Sequence, residues 1–224
     1  MFKRLTPKTA VFIMVLLFGT FSKTAHAQEE IPNYTLEVVV FETYELNSWI
    51  EEYWPETLDD LDYENTLYLA DISTDTMPIN QFNILKQPNE LNTVSEKLAP
   101  KKGYRILFHQ AWSQDTSSDD KMPKLIIESA ESVDDNTHLA GTVKLYKSRF
   151  AHVEFDLRFN RLIPAEIKQE FFTQQHFSDD QMLAEYWPFS LKTARKIRPN
   201  QLHYIDHPLF GILVQLRYNG PAEQ

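Results

Sequence analysis

The chain has 224 residues, no cysteine, and 22 Lys and Arg against 32 Asp and Glu, a formal net charge of −10. The lack of cysteine excludes disulfides, thiolate metal sites and a lipid-bearing N-terminal cysteine. The acidic balance argues against nucleic acid as a partner, because a polyphosphate needs a dense Lys and Arg surface.

The first 27 residues have the pattern of an export signal. Three basic residues lie within the first eight positions, residues 10–18 are apolar, and Ala25-His26-Ala27 fits a small-residue cleavage site. No stretch reaches the roughly 20 apolar residues that a membrane-spanning helix needs. We therefore expect cleavage before Gln28 and a soluble, exported product, for which a bacterial periplasm is the natural place. The alternative is an uncleaved N-terminal anchor.

The expected mature chain, residues 28–224, fits a single domain and carries its charge unevenly. Residues 28–135 have 7 basic against 23 acidic residues, whereas residues 136–224 have 11 against 9. The C-terminal part can therefore approach an anionic polymer that the N-terminal part would repel. A solvated acidic surface that aids solubility is the simpler explanation of the N-terminal charge.

The predicted elements begin with a strand at Tyr34–Phe41, whose β-branched and aromatic residues become apolar on both faces, as in a central strand. A short helix is predicted over Asn47–Trp54. Residues 56–81 are acidic and poorly periodic, which indicates a loop with one weak strand at 66–70. The helical spacing of Leu91, Val94 and Leu98 predicts a helix over 88–98.

Residues 104–112 follow as a strand. Strict alternation places one set of its side chains on a single face, namely Tyr104, Ile106, Phe108, Gln110 and Trp112. Residues 113–121 have the composition of an exposed loop, and residues 124–128 resume a strand. Residues 142–159 predict a hairpin that turns near 147–151, with one face buried and one wet.

The C-terminal part completes the prediction. Residues 164–187 indicate a helix or a helical excursion, and residues 202–207 and 210–216 predict two strands or one bent strand, broken by Pro208 and Gly211. Several antiparallel strands with few helices give an α+β fold, mainly an antiparallel sheet with one or two packed helices.

Catalytic and metal-binding signatures are weak. There is no cysteine nucleophile and no G-x-S-x-G elbow, so a wall hydrolase or metalloenzyme is the least favoured class. His203 and His207 share one face of a strand while Asp206 lies on the other, which disfavours a shared metal site and favours backbone hydrogen bonds at the turn before Pro208. We expect no catalytic residue, metal or cofactor.

An acidic run in the N-terminal part resembles a calcium loop only superficially. Asp60, Asp62 and Glu64 alternate, but the required glycine and the bidentate glutamate at the twelfth position are missing. A solvated loop is the expected interpretation of this run.

The basic segment 192–198, KTARKIR, is the best candidate for contact with a polymer. It lies between an aromatic cluster at 186–189 and Tyr204. Forked guanidinium groups suit the carboxylates of peptidoglycan stem peptides, and flat aromatic rings suit its sugar faces. A basic, solvated helix end is the alternative.

Three segments together resemble signature blocks of a known family, the CsiV family of periplasmic peptidoglycan-binding proteins. They are YRILFHQAWSQ at 104–114, GTVKLYKSRFAHVEFDL at 141–157 and LHYIDHPLFGILVQL at 202–216. The opening YTLEVVVFE and the Trp54-Pro55-Glu56 step add to the resemblance in the right order.

The resemblance implies an exported protein that associates with the cell wall and is not an enzyme. It further implies support of a class A penicillin-binding protein through the lipoprotein activator LpoA, which preserves cell shape. This chain departs from the family pattern before its last block, where residues 195–201 read RKIRPNQ: the positive charge is kept, but a usual Glu is lost and a Pro is inserted.

We therefore predict a peptidoglycan-binding adaptor. Its predicted contacts are Arg149, Arg195, Lys196 and Arg198 for carboxylates, and Trp112 with Tyr204 for stacking. Two structural alternatives stay open: the two aromatic residues belong to the core, or Arg149 pairs with Glu154 or Asp156 across the hairpin. The alternative function is a protein-interaction scaffold whose acidic N-terminal half docks a basic partner, without direct wall binding.

Overall fold

A computed structural model describes residues 30–69, 72, 82–87, 90–129, 136–177 and 184–222. The predicted export signal at 1–27 lies outside these residues. Within them, no helix has the length and apolar character needed to cross a membrane.

The described chain is dominated by strands. In order they are β1 (Pro32–Thr43), β2 (Thr66–Tyr68), β3 (Asn83–Ile84), β4 (Tyr104–Asp115), β5 (Lys124–Glu128), β6 (His138–Lys147), β7 (Ala151–Leu162), β8 (Tyr186–Lys196), β9 (Leu202–His207) and β10 (Phe210–Pro221). The helices are α1 (Asn92–Ser95) and α2 (Lys168–Gln174), with short 3-10 turns at Asn47–Trp49, Pro100–Lys102 and Asp119–Lys121.

The strands form two five-stranded sheets. The first has the order β3-β4-β1-β10-β9 and is antiparallel throughout. The second has the order β2-β5-β6-β7-β8 and is antiparallel except for the short β2–β5 pair. The predicted mainly antiparallel sheet is confirmed. Because the described residues contain only two short helices beside ten strands, the protein is mostly β rather than α+β.

One hydrophobic core joins the inner faces of the two sheets. It includes Leu36, Val38, Val40, Trp112, Ile212 and Val214 from the first sheet and Val143, Leu145, Phe155, Leu157, Phe159 and Phe189 from the second. Helix α2 closes one end, where the Phe171 ring meets Trp49 edge-on at 5.5 Å. Burying such rings stabilises the fold by about 2 to 3 kcal/mol each, so this end is rigidly packed.

The outer face of the first sheet is covered by the segment around α1. Leu91, Val94 and Leu98 pack on Val39 and Leu213. This cover also has a polar anchor, since the buried Glu37 of β1 accepts hydrogen bonds from the backbone N–H groups that precede α1. Strand β1 is therefore buried on both faces, as its sequence predicts.

The predicted helices are longer than the observed ones. The helix over 47–54 is only the 3-10 turn, and the helix over 88–98 is reduced to α1, with Pro88 and Asn89 outside the described residues. The helix predicted over 164–187 is wrong at its end, because α2 ends at Gln174 and β8 begins at Tyr186, while residues 178–183 lie outside the described residues. The basic segment 192–198 therefore lies at the end of a strand and not at the end of a helix.

A β-bulge in β4 corrects the predicted face of that strand. Val40 pairs with Phe108 but Phe41 pairs with Ile106, so β4 has one extra residue at this point. As a result Phe108 joins the inner core, whereas Tyr104 packs in the outer cluster. The single predicted face is thus split between the two sides of the sheet.

The remaining strand predictions are confirmed in place. The weak strand at 66–70 is β2, the 142–159 hairpin is β6 and β7, and the last two strands are β9 and β10. Residue 70 of that strand, and residues 71 and 73–81 of the predicted loop, lie outside the described residues. The predicted loop at 113–121 is shorter than expected, because β4 continues to Asp115.

Candidate functional site

Two chain segments meet at the end of the second sheet opposite α2. His152 pairs in register with Tyr146 of β6 and with Lys196 of β8. The backbone N–H of Ile197 donates to the Ala151 carbonyl at 3.0 Å. The β6–β7 turn and the end of β8 therefore lie side by side, although more than 40 residues separate them in the sequence.

An exposed aromatic ring joins the cations of these two segments. The Phe150 ring is 43% exposed, with Lys196 Nζ 3.1 Å and Arg149 Cζ 5.3 Å from its centroid. Such cation–π contacts hold two like charges on one ring. We call Arg149, Phe150 and Lys196, together with Lys147 and Arg195 at the same ends of β6 and β8, the cationic tip.

The cations of the tip form no ion pair with a carboxylate among the described residues. In the part of the chain that the structure describes, the ion pairs within 4 Å involve neither the tip nor Arg198. Elsewhere on the same sheet lysines are paired, as in Lys124 with Asp62 at 2.5 Å and Lys192 with Asp156 at 3.2 Å. The tip is therefore available to an external anion.

A flat aromatic pair continues from the tip along the outer face of the sheet. The rings of Tyr146 and His152 stack with their centroids 5.1 Å apart and an interplanar angle of 12°. They form one row with Lys196 across β6, β7 and β8. Alternation along these strands turns the neighbouring residues, Leu145 and Val153, into the core.

Arg198 lies in the connection from β8 to β9, two residues beyond Lys196. Its backbone N–H donates to His203 Nε2 at 3.0 Å, and its side chain is exposed. Ile197 between them is buried and fixes the connection against the core. The structure thus brings Arg149 and Lys196 together on the Phe150 ring. Arg195 precedes Lys196 but pairs in register with Val153, so it leaves the opposite side of β8, and Arg198 follows Lys196 by two residues.

Trp112 is not part of this surface. It is 0% exposed, its Nε1 donates to Gln114 Oε1 at 2.8 Å, and Gln114 Nε2 donates to the Leu145 carbonyl at 3.2 Å. A ring without exposed area cannot stack on a sugar, so the predicted contact is wrong. Trp112 and Gln114 instead connect the two sheets.

Tyr204 is exposed but lies on the other side of the sandwich. It pairs in register with Leu213 of the covered outer cluster and stacks on Phe41 with centroids 6.3 Å apart. Its hydroxyl donates to Asp206, and burial together with that bond raises the pKa of the phenol. Tyr204 is 56% exposed, so the core alternative does not apply, but it does not join the tip.

The structure also decides the alternative for Arg149. Asp156 pairs with Arg158 at 2.7 Å and with Lys192, and not with Arg149. The hairpin pairing that would have neutralised Arg149 is therefore absent from the described ion pairs.

The histidines of the HYIDH segment do not form a metal site. His207 is buried, and its Nδ1 accepts from the Leu209 backbone N–H at 3.2 Å, as predicted for the turn before Pro208. Burial lowers the pKa of His207 to about 4, against a small opposing effect of Asp206. Among the residues described, no three His, Asp or Glu side chains are grouped so as to hold a metal ion.

Sequence reasoning missed Phe150 and the Tyr146–His152 stack. A signal for Phe150 exists, because a large apolar residue at the tip of a hairpin between arginine and alanine has no role in a core. The stack has no local signal, since the register of β6 and β7 decides it.

Comparison with known proteins supplies the family. A family model described as peptidoglycan-binding protein, CsiV, matches residues 10–218. No curated protein and no solved structure matches the chain significantly. Because the match covers nearly all of the sequence, the chain belongs to the CsiV family of peptidoglycan-binding proteins.

Proposed function

We propose that the protein is a periplasmic, non-enzymatic adaptor that binds peptidoglycan through the cationic tip and the adjoining outer face of the second sheet. The observation that carries this proposal is the group of unpaired cations around the exposed Phe150 ring, among the residues described. Peptidoglycan stem peptides present carboxylates, and its sugars present apolar faces. Guanidinium and ammonium groups bind the former, and exposed rings bind the latter.

The magnitude expected of such a site is modest. Its charges are exposed, so each carboxylate contact contributes about 0.5 kcal/mol. Three contacts on one polymer give about tenfold in affinity, and repetition along the wall raises the apparent affinity further. Because the charges are exposed, added salt should weaken the binding.

The test is co-sedimentation of the purified protein with isolated sacculi. Replacing Arg149, Arg195 and Lys196 together with Gln should weaken co-sedimentation by about tenfold, for the reason given above. The thermal transition should stay nearly unchanged, because these side chains make no buried contact.

A matched control carries the same change of charge elsewhere. Lys97, Lys101 and Lys102 lie near α1, are exposed, and have no ion pair among the described residues. Their triple replacement with Gln should leave co-sedimentation unchanged. Equal weakening in both triple variants would show that the binding depends only on net charge. No weakening in either variant would show that the tip does not bind peptidoglycan.

We further propose that the bound protein supports a class A penicillin-binding protein through the lipoprotein activator LpoA, and so preserves cell shape. This role rests on membership of the family. It is tested by measuring binding of the purified protein to LpoA and to the penicillin-binding protein separately. If the protein binds neither LpoA nor the penicillin-binding protein, with or without sacculi, the proposed partner role is wrong, and the proposed wall binding is unaffected by that result.

An interaction scaffold without direct wall binding is the competing function. It predicts that sacculi alone do not sediment the protein and that a basic partner restores sedimentation. Release of soluble muropeptides from sacculi would contradict both functions and indicate a hydrolase.

A further inference from the structure

A second feature of the same outer face lies at the end of the sheet away from the cationic tip. Here a recess of about 560 Å³ opens between the loop 58–63 and strands β6, β7 and β8. Its floor is one row of the sheet, in which His138, Asn160 and Pro188 lie side by side. We call it the loop recess.

The loop 58–63, which forms one wall of the loop recess, is fixed to the sheet by contacts with β7 and β5. Arg158 Nη2 donates to the Asp59 carbonyl at 2.9 Å. Asp62 forms the ion pair with Lys124, whose ammonium lowers the pKa of that carboxyl group, and the Lys124 backbone N–H donates to the Asn65 carbonyl at 3.0 Å. A wall that is held in place before binding spares a ligand the cost of ordering it.

The polar groups of the recess are mainly acceptors. The charge of Arg158 is compensated by Asp156 at 2.7 Å, whereas Asp59 and Asp60 have no ion pair among the described residues. Asn160 uses its Nδ2 to donate to the Asn136 carbonyl at 2.8 Å, which leaves its amide oxygen as an acceptor. The recess therefore suits a ligand that donates hydrogen bonds and would repel a carboxylate.

Its apolar lining includes two flat rings, Tyr63 and Pro188. The exposed Tyr63 ring, Leu61 and Pro188 line the recess beside these acceptors. A pyranose ring combines a flat CH face with hydroxyl and amide donors, and so matches both parts of the lining.

We propose that the loop recess is a saccharide subsite that takes an N-acetylhexosamine ring of the glycan strand. This inference rests on the proposed function and assigns the two chemistries of peptidoglycan to two places. The tip holds carboxylates of the stem peptides, and the recess holds the sugar backbone. Eight residues of β8 separate Lys196 from Pro188, which corresponds to about 26 Å along the strand. When two weak subsites at this distance bind one continuous polymer, the apparent affinity exceeds that of either subsite alone.

The test uses chitotetraose, a neutral oligomer of N-acetylglucosamine that has no carboxylate for the tip. Titration of the purified protein, followed by NMR or calorimetry, should show binding in the millimolar range. The double variant Asp60→Asn with Tyr63→Ala should weaken this binding at least severalfold, because it removes an acceptor charge and the stacking ring. Tyr63→Phe should keep most of it.

Two controls separate the subsites. Tyr53→Ala removes another exposed tyrosine ring, 64% accessible against 48% for Tyr63, which stacks on His176 outside the recess, and should leave chitotetraose binding unchanged. The Arg149, Arg195 and Lys196 triple variant should also retain it. A urea midpoint equal to that of the unmodified protein shows that the double variant is folded.

The outcomes distinguish this inference from the function on which it rests. Sedimentation with sacculi but no binding of chitotetraose would overturn the saccharide subsite and leave the proposed function standing. Failure to sediment with sacculi would overturn the proposed function itself. Binding of a stem peptide with a free ammonium group at the recess, with no binding of chitotetraose, would assign the recess to the peptide and would also overturn the saccharide subsite.

Discussion

The two outer faces of this sandwich differ in what lies on them. On the first sheet, β1 and β10 present Val39 and Leu213 outward, and the α1 segment covers them. On the second sheet, the outward positions of β7 and β8 are polar, for example Glu154 and Lys192, and the loop 58–63 lies over part of this face. The cover on the first face therefore serves stability, whereas much of the second face stays exposed to solvent.

Glu37 should give the largest effect, because it anchors the cover of the first sheet. Its carboxylate accepts from the Glu90 and Leu91 backbone N–H groups at 2.7 and 3.1 Å, and lies 2.8 Å from His109 Nε2. Glu37→Ala leaves buried partners unsatisfied and should lower the free energy of unfolding by about 4 kcal/mol.

Urea denaturation measures this change, with Glu96→Ala beside α1, where the side chain is exposed, as its control. Co-sedimentation with sacculi should be unaffected at temperatures where the variant is folded. A loss of stability below about 1 kcal/mol would show that the cover does not depend on this carboxylate.

Acid should destabilise the interior between the two faces. His207 contacts Phe210 and Trp54 in the core, and its pKa of about 4 is lower than the 6.5 of an unfolded histidine. Between pH 4 and pH 6.5 the unfolded chain binds more protons than the folded protein does. The stabilisation that comes from burying a neutral His207 is therefore complete above pH 6.5 and is lost as the pH falls to 4. The contribution is about 3 kcal/mol.

His207→Asn keeps an acceptor for the Leu209 N–H but does not titrate in this range. Measured by urea denaturation at a series of pH values, its stability should fall less steeply than that of the unmodified protein. Identical slopes between pH 6.5 and 4 would contradict the burial of a neutral His207.

Phe150 should have a smaller effect, confined to binding. Phe150→Ala removes the ring that holds Arg149 and Lys196 and should weaken co-sedimentation with sacculi about threefold. Tyr53→Ala is the control for loss of an exposed ring. If both variants behave like the unmodified protein, the ring does not organise the tip.

Tyr204 should have the smallest effect on binding, because it belongs to the covered face. Tyr204→Ala should leave co-sedimentation unchanged, although the sequence pattern marks this residue as a candidate contact. A loss as large as that of Phe150→Ala would place a wall contact on the first sheet and remove the contrast between the faces.

Much of the fold could be predicted because alternation is a local property. The hairpin β6–β7 follows from a period-two pattern, and strands β1, β9 and β10 follow from short apolar or β-branched runs bounded by turn residues. Strand β8 could not be separated from α2 in this way, because Phe171, Phe172, Trp187 and Phe189 meet in one core and their spacing alone does not reveal a change of element.

The site was predictable only in part. The residue types of the tip follow from charge, but the register of β7 with β8 brings Arg149 to Lys196, and register is a long-range property. The split of the predicted face of β4 had no local signal for a related reason. The bulge in β4 shifts the faces of the strand between Ile106 and Phe108, and no residue in the segment predicts this bulge.

The most direct test of the contrast between the faces is lysine footprinting of the unmodified protein. Its acetylation is compared with and without an excess of sacculi and read by mass spectrometry. The account predicts that Lys147 and Lys196 react severalfold more slowly when sacculi are present, while Lys97, Lys101 and Lys102 react as before. Protection of the second group, or equal protection of both, would contradict binding through the open face of the second sheet.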